Sequence, residues 1–302
     1  MTDKIKHIFE RNIYLLDQAD KAVYYFRRQR HDVALGIIAD SIGVLRKNIE
    51  AIISDREYFN SISTDSVLEL LSAILEAYKE ENYILLADLF EMRMITFLCR
   101  IQELIISKEK IGFNEEQYYD NLTAIKDNSI GLDESLLYSI DPQPLLKEGY
   151  RVEITSCGLM TLAAENNGDS FYFHTNGRVQ AEAFILANHW YKEEIKEYIL
   201  YGLGFGYHIK ELLALSKESE ITVYESDLNV ILLACAFTKI KDMFKSKRVI
   251  LVYDPDYKYL KSKLTNLSAG QVFYVHYPSF QNIKSNEGRK LTEKYVSWSK
   301  KI

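Results

Sequence analysis

The residues best suited to chemistry in this chain form a glycine-rich turn. Gly202, Gly204 and Gly206 alternate with bulkier residues directly after a hydrophobic run at 198–201 that is predicted to be a strand. Glycine is favoured where a turn needs positive φ, or where a Cβ would block an approaching group. The helix predicted to begin at Tyr207 offers free backbone N–H groups and a partial positive charge at its amino terminus. The pattern predicts a site for a nucleotide-type ligand, with tight helix–sheet packing and no ligand as the competing interpretation.

Two acidic residues at neighbouring strand ends could complete such a site. Glu225 ends the next predicted strand, where an acid commonly binds ribose hydroxyls, although Glu225 or Asp227 could instead cap the following helix. Asp254 follows the third strand and could contact a bound base, although Asp-Pro and Pro-Asp also favour turns by themselves. The glycine spacing is nearer to S-adenosylmethionine-binding folds than to NAD-binding folds. The candidate cofactor-binding residues are therefore Gly202, Gly204, Gly206, Tyr207, Glu225 and Asp254.

The histidines and cysteines show no spacing typical of a metal site. No two histidines form a pair on one helix face, and no P-loop or G-x-S-x-G motif occurs. The cysteines are odd in number and far apart, which argues against a disulfide framework. We predict no catalytic residue and no metal site, and we interpret as structural His174, His189, His208, His276, Cys99, Cys157 and Cys235.

The charge balance restricts the partners of the chain. Over 302 residues the formal net charge is −6, so the broad positive surface that nucleic-acid binding usually needs is not expected. The amino terminus has no apolar core of signal-peptide length, and no apolar run is long enough for a membrane span. We therefore expect a cytoplasmic protein that binds neither nucleic acid nor membrane.

The first part of the chain has helical periodicity throughout. No proline precedes Pro142, so nothing forces a break inside the predicted helices. Long amphipathic helices with short connections favour an antiparallel bundle. Its aromatic residues are expected to pack the bundle, with a groove for a protein partner as the alternative. The four helices are predicted over 4–29, 31–54, 64–80 and 82–108.

The second part alternates strands and helices, which indicates parallel crossovers and an open doubly wound sheet. A small β-hairpin unit with a tight turn at Asn167-Gly168 precedes it. The predicted fold class is α/β: an all-α helical bundle, the hairpin unit, and a Rossmann-like, methyltransferase-like parallel sheet. The predicted domains are the bundle at 1–125, a linker at 126–149, and the Rossmann-like domain at 150–302.

The stretch from Phe171 to Ser279 resembles the amino-terminal region of the motility accessory factor (Maf) family of flagellin glycosyltransferases. The shared features are Gln-Ala-Glu-Ala at 180–183, Gly-Leu-Gly-Phe-Gly-Tyr-His at 202–208, and Val-Tyr-Glu at 223–225. The glycine–tyrosine–histidine run is the most specific of them. Thr-Asn-Gly-Arg at 175–178 departs from the family, which usually has Asp-Pro there.

The resemblance implies a fold and a pathway. In that family a nonulosonic acid passes from a CMP-sugar to serine or threonine of flagellin, and a separate MptE-like central domain with a Gly-Pro-Ser motif carries the transfer. The chain has no such motif, so the resemblance implies a Maf-like accessory or interaction protein without transferase activity by itself.

Two enzymatic alternatives stay open. One is an S-adenosylmethionine-dependent methyltransferase, although a full methyltransferase sheet would need about three more strands. The other is a glycosyltransferase that binds a nucleotide sugar, such as a CMP-sugar, at the switch point of the sheet.

Overall fold

A computed structural model describes residues 1–133, 142–147, 149–166 and 168–299 of the chain. These residues form a mixed α/β protein with a helical amino-terminal part, a five-stranded parallel sheet and a three-stranded sheet. The α/β class, the helical first part and the parallel sheet are therefore confirmed. Asn167 of the predicted hairpin turn lies outside the described residues, as do residues 134–141 and 148 of the predicted linker at 126–149.

The regular elements follow one another along the chain in a simple order. The strands are β1 (Ser129–Ile130), β2 (Tyr150–Ile154), β3 (Met160–Asn166), β4 (Asp169–Tyr172), β5 (Glu197–Tyr201), β6 (Glu220–Glu225), β7 (Val249–Tyr253) and β8 (Gln271–Val275). The α-helices are Asp3–Arg27, His31–Ile53, Thr64–Lys79, Tyr83–Asp88, Ile95–Lys108, Glu115–Lys126, Pro142–Lys147, Val179–Trp190, Tyr207–Leu215, Leu228–Phe237, Lys241–Lys245, Lys258–Thr265, Tyr277–Gln281 and Asn286–Ser299. None of the helices among the described residues is long and apolar enough to cross a membrane.

Two compact units divide the described chain. The first comprises residues 1–111 and 154–159, and the second comprises residues 112–153 and 160–302. A division by compactness does not test the predicted domain limits, which stay a prediction.

The helices of the first unit begin and end close to the predicted residues. Side-chain caps explain two of their starts, because Thr2 accepts a hydrogen bond from Ile5 N and Ser63 accepts one from Ser66 N. The helix predicted over 82–108 contains a π-helical segment at Leu89–Met94. Apolar spacing does not reveal such a segment, since one wider turn leaves the pattern on both sides helical.

The parallel sheet of the second unit has the order β1-β7-β6-β5-β8. From β5 the chain builds outward on one side through β6 and β7, and then returns to place β8 on the other side of β5. The order of strands thus reverses between β5 and β8. In open parallel sheets, the crevice at the carboxyl ends of two such strands is the usual ligand position.

Three short elements between residues 112 and 149 were not predicted. The helix Glu115–Lys126 follows the last of the four predicted helices, which ends at residue 108, and β1 and the helix Pro142–Lys147 lie in the predicted linker. Strand β1 has only two residues, which is too short for any periodicity, and it pairs with β7 in parallel. Its existence depends on that tertiary partner.

Asn121 fastens the helix Glu115–Lys126 to the following structure. Its buried amide donates to the carbonyls of Cys235 at 2.8 Å and Thr238 at 2.7 Å, and its oxygen accepts from Lys241 N at 2.9 Å. One side chain thereby satisfies three backbone groups where the helix Leu228–Phe237 ends and the next begins.

Replacing Asn121 should therefore be costly. We expect Asn121→Ala to lower the free energy of unfolding by about 3 kcal/mol, because the Cys235 carbonyl and Lys241 N lose their hydrogen bonds to this side chain, while the Thr238 carbonyl keeps one from Gln117. Denaturant unfolding followed by circular dichroism measures the loss. Asn266→Ala is the matched control, since its exposed amide bonds only the carbonyl of Ser262, and it should change stability by less than about 0.5 kcal/mol. Equal effects of the two substitutions would contradict the role given to Asn121.

Candidate functional site

The glycine-rich turn lies at the carboxyl edge of the parallel sheet, between β5 and the helix Tyr207–Leu215. Gly202 N donates to the carbonyl of Tyr224 at 2.8 Å, and Gly206 N donates to that of Leu203 at 2.9 Å. The side chains of Leu203 and Phe205 are buried. The predicted strand, turn and helix are all present, and the turn is anchored on both sides of the glycines.

The groups that approach these glycines closely are side chains of the same chain. Gly202 has a φ of +105°, and a Cβ there would lie 2.3 Å from the side chain of Ser279. A Cβ on Gly204 would lie 2.8 Å from Nε2 of His174. Gly206 is less crowded, with Ile240 at 3.2 Å from such a Cβ. Glycine is needed here because other groups approach the backbone closely, as the sequence predicts. The approaching groups are side chains of the protein itself.

Glu225 is buried beneath the turn. One carboxylate oxygen accepts from Leu203 N at 3.0 Å, and the other accepts from Ser226 N at 2.8 Å and Asp227 N at 3.0 Å. Burial raises the pKa of Glu225 to about 7, while these backbone hydrogen bonds act in the opposite direction. Both oxygens are therefore engaged by the backbone, and Asp227, whose side chain accepts from Asn229 N, caps the next helix.

Asp254 and Tyr207 also make hydrogen bonds within the chain. The buried carboxylate of Asp254 accepts from Lys258 N at 2.9 Å and from Leu260 N at 2.8 Å, at the start of the helix Lys258–Thr265. The Tyr207 hydroxyl donates to the carbonyl of Met160 at 2.8 Å. The structure thus brings Glu225 to the glycine turn but engages Asp254 in its own helix start. Ligand binding by these residues stays a prediction.

Three histidines that the sequence places far apart meet beside the turn. His174 follows β4, His208 is the second residue of the helix Tyr207–Leu215, and His276 directly follows β8. All three are buried, and one candidate metal-ligand atom of each lies within 4.8 Å of the others. The rings of His208 and His276 are stacked with centroids 4.3 Å apart and an angle of 9° between the planes. The spacing of these residues in the sequence therefore did not show that they meet in the folded chain.

Burial keeps the imidazoles of His208 and His276 neutral. It lowers the pKa of His208 to about 3, with a further lowering by His174 and a partial offset from the Gly202 carbonyl. Burial, His208 and His174 also hold the pKa of His276 well below its ordinary value. Two neighbouring groups that cannot take up protons near neutral pH are acceptors and potential metal ligands rather than cations.

Part of this cluster had a signal in the sequence. His208 follows the glycine turn and His276 follows a predicted strand, and the carboxyl ends of neighbouring parallel strands share one edge. The pairing of β5 with β8 was needed to make them neighbours. His174 comes from the other sheet, and no spacing in the sequence links it to the turn.

Comparison of the chain with protein-family models, curated proteins and solved structures found no match.

The crowding at Gly202 predicts a large cost for any side chain there. We expect Gly202→Ala to lower the free energy of unfolding by about 3 kcal/mol or more, because positive φ and overlap with Ser279 act together. Gly270→Ala is the control, since φ is +83° there but the nearest atom, on Lys196, lies at an ordinary 3.6 Å. It should cost about 1–2 kcal/mol, the contribution of positive φ alone. Equal losses in denaturant unfolding would exclude a tight contact at Gly202.

The neutral histidines predict a loss of stability in mild acid. Both bind a proton near pH 6.5 when unfolded but only at much lower pH when folded, so the unfolded state binds more protons below pH 6.5. The free energy of unfolding should therefore fall by about 1.4 kcal/mol per pH unit for each histidine as the pH drops below 6.5. Glu225 acts oppositely between its ordinary pKa of 4.5 and about 7, because its folded state binds more protons there. The three groups together should give a net loss of about 1.4 kcal/mol per pH unit between pH 6 and pH 5.

Two variants separate these contributions. In urea unfolding at pH 7, 6 and 5, His208→Gln should show a smaller loss per pH unit than the native chain, and Glu225→Gln should show a larger one. The exposed His189, changed to Gln, is the control. An unaltered slope in His208→Gln would show that this imidazole titrates alike in the folded and unfolded states.

Proposed function

We propose that the chain is a Maf-like accessory protein of flagellin or surface glycosylation, located in the cytoplasm, which does not transfer a sugar by itself. Its second part would be a Rossmann-like module, and its helical first part would bind a protein partner. The single observation that carries the proposal is the internal engagement of the glycine turn. The assignment to flagellin or surface glycosylation rests on the resemblance of residues 171–279 to the Maf family.

The strand order supports the Rossmann-like description. Counted from β5, the parallel strands lie in the order third, second, first and fourth, which is the order of the first four strands of a Rossmann sheet. The additional strand β1 extends the sheet beyond β7. The glycine turn follows the first of these strands, where dinucleotide-binding folds carry their phosphate-binding turn.

The hydrogen bonds of the turn argue for a structural use of it. A nucleotide cofactor would need the Glu225 carboxylate for ribose hydroxyls and open space beside Gly202 and Gly204. Backbone N–H groups occupy the carboxylate, and Ser279 and His174 fill the space. A methyltransferase or a nucleotide-sugar transferase would have to displace these contacts to bind its cofactor. These contacts therefore favour the accessory role over both enzymatic alternatives.

The first unit supports the proposal of a protein partner. Several large apolar side chains of its helices face solvent, and two are more than two-thirds exposed, Ile84 at 74% and Met92 at 71%. Exposed apolar side chains of this size are typical of protein-binding surfaces when they are contiguous. The others on the third and fourth helices are Leu68, Leu75, Tyr78 and Leu85.

Thermal unfolding with a panel of ligands tests the accessory role against both enzymatic alternatives. The panel is S-adenosylmethionine, S-adenosylhomocysteine, CMP and a CMP-nonulosonic acid, with adenosine and cytidine as controls for weak base stacking. A bound ligand at a hundred times its dissociation constant stabilises the folded state by about 2.7 kcal/mol, which shifts the midpoint by several degrees. We expect no shift. A saturable shift with one cofactor but not with its control nucleoside would favour the corresponding enzyme.

A second experiment tests the pathway. Flagellin incubated with the purified chain and a CMP-nonulosonic acid should keep its intact mass, because the chain carries no transferase centre of its own. Deletion of the gene from its organism should reduce the glycan mass on flagellin or another surface protein, and the intact gene should restore it. A mass gain with the purified chain alone would contradict the accessory role, and an unaltered glycan in the deletion strain would exclude the pathway.

A further inference from the structure

The histidine cluster of the second unit is independent of the proposed function. Each of its three rings already has one nitrogen near an orienting group: Nε2 of His208 lies 3.2 Å from the Gly202 carbonyl oxygen. Nδ1 of His276 lies 2.8 Å from the Ser279 hydroxyl, and Nδ1 of His174 lies 3.8 Å from the Glu182 carboxylate. Carbonyl, hydroxyl and carboxylate partners of this kind orient metal-bound histidines in proteins.

The second ring nitrogen of His208, Nδ1, is the atom most clearly available to bind a metal ion. Among the described residues, its Nδ1 is buried without any hydrogen-bond partner, and the side chain as a whole has no exposed surface. Because Nε2 faces a carbonyl oxygen, it carries the ring proton, and Nδ1 presents a bare lone pair. A buried nitrogen in this state needs a donor or a metal ion to satisfy it.

We propose that His174, His208 and His276 form a binding site for one divalent transition-metal ion, with zinc as the best match. Three imidazoles suit zinc, which takes three protein ligands and leaves a fourth position open in catalytic sites. Each histidine comes from a different segment, so the ion would join the end of β4, the glycine turn and the end of β8. The site lies where the strand order reverses between β5 and β8.

The three histidine rings must move before they can bind one zinc ion together. Nitrogens around a tetrahedral zinc ion lie about 3.4 Å apart, whereas the candidate atoms here lie within 4.8 Å of one another. The stacked rings of His208 and His276 have nearly parallel planes, so one ring must tilt for two lone pairs to converge. Nε2 of His174 must leave Phe205 N, which donates to it at 3.1 Å, and His276 must leave the backbone of Phe173.

Zinc and cobalt titrations of the untagged full chain test the site. After removal of metals with a chelator, we expect one Zn²⁺ to be retained per chain through gel filtration. Co²⁺ should give the visible absorption of a four-coordinate site, and Zn²⁺ should abolish it. A native chain that retains no zinc, or gives only the spectrum of hydrated Co²⁺, would overturn the proposal.

Variants identify the ligands. His208→Gln and His276→Gln should each weaken zinc binding at least 100-fold, whereas His189→Gln, an exposed histidine in the same unit, should bind as tightly as the native chain. Ser279→Ala removes only the partner of His276 and should weaken binding by about 10-fold. Circular dichroism of the metal-free variants checks their folding. If either glutamine variant fails to fold, Ser279→Ala and the cobalt spectrum of the native chain decide. Undiminished zinc binding by folded His208→Gln would exclude this site.

Discussion

The carboxylate of Glu225 connects the parts of the second unit that matter most. It ends β6 and accepts a hydrogen bond from Leu203, in the turn that follows β5, as well as two from the residues after itself. A buried carboxylate without such donors would be strongly unfavourable, so the strand end and the turn hold each other in place. With Glu225 in this position, Leu203 N of the turn points at the end of β6, and Gly202 faces Ser279 in the segment after β8.

The neighbours of the turn follow from that arrangement. Gly202 admits Ser279, and Gly204 admits His174, at distances that no other residue would allow. His276 and His208 then stack beside them in a space without charged partners, which holds both rings neutral. The carboxyl edge of the sheet, which is the usual ligand position in open parallel sheets, is here lined by imidazoles. The groups at this edge that could still bind something are imidazole nitrogens. Such nitrogens suit a metal ion better than a nucleotide cofactor.

The sequence predicted much of the local structure and less of the site. Elements with a clear periodicity, such as the helix at 31–53 and the strand β5, have nearly the predicted limits. Elements that depend on a partner were missed, among them β1, which exists only beside β7. Asp254 shows what the sequence left open in the site. The sequence allowed a contact with a bound base or a turn, and the structure has the turn, in which Tyr257 N donates to the Asp254 carbonyl at 3.1 Å. The carboxylate also caps the helix Lys258–Thr265.

The sequence by itself determined that a strand, a glycine turn and a helix follow one another at 197–215, since strand periodicity, glycine φ preferences and helix periodicity are local properties. It also determined that an acid ends the next strand. Only the tertiary structure decided what approaches the glycines and which histidines meet. Those outcomes depend on β8 pairing with β5 and on the chain after β4 reaching the same edge, and contacts between residues so far apart leave no spacing in the sequence.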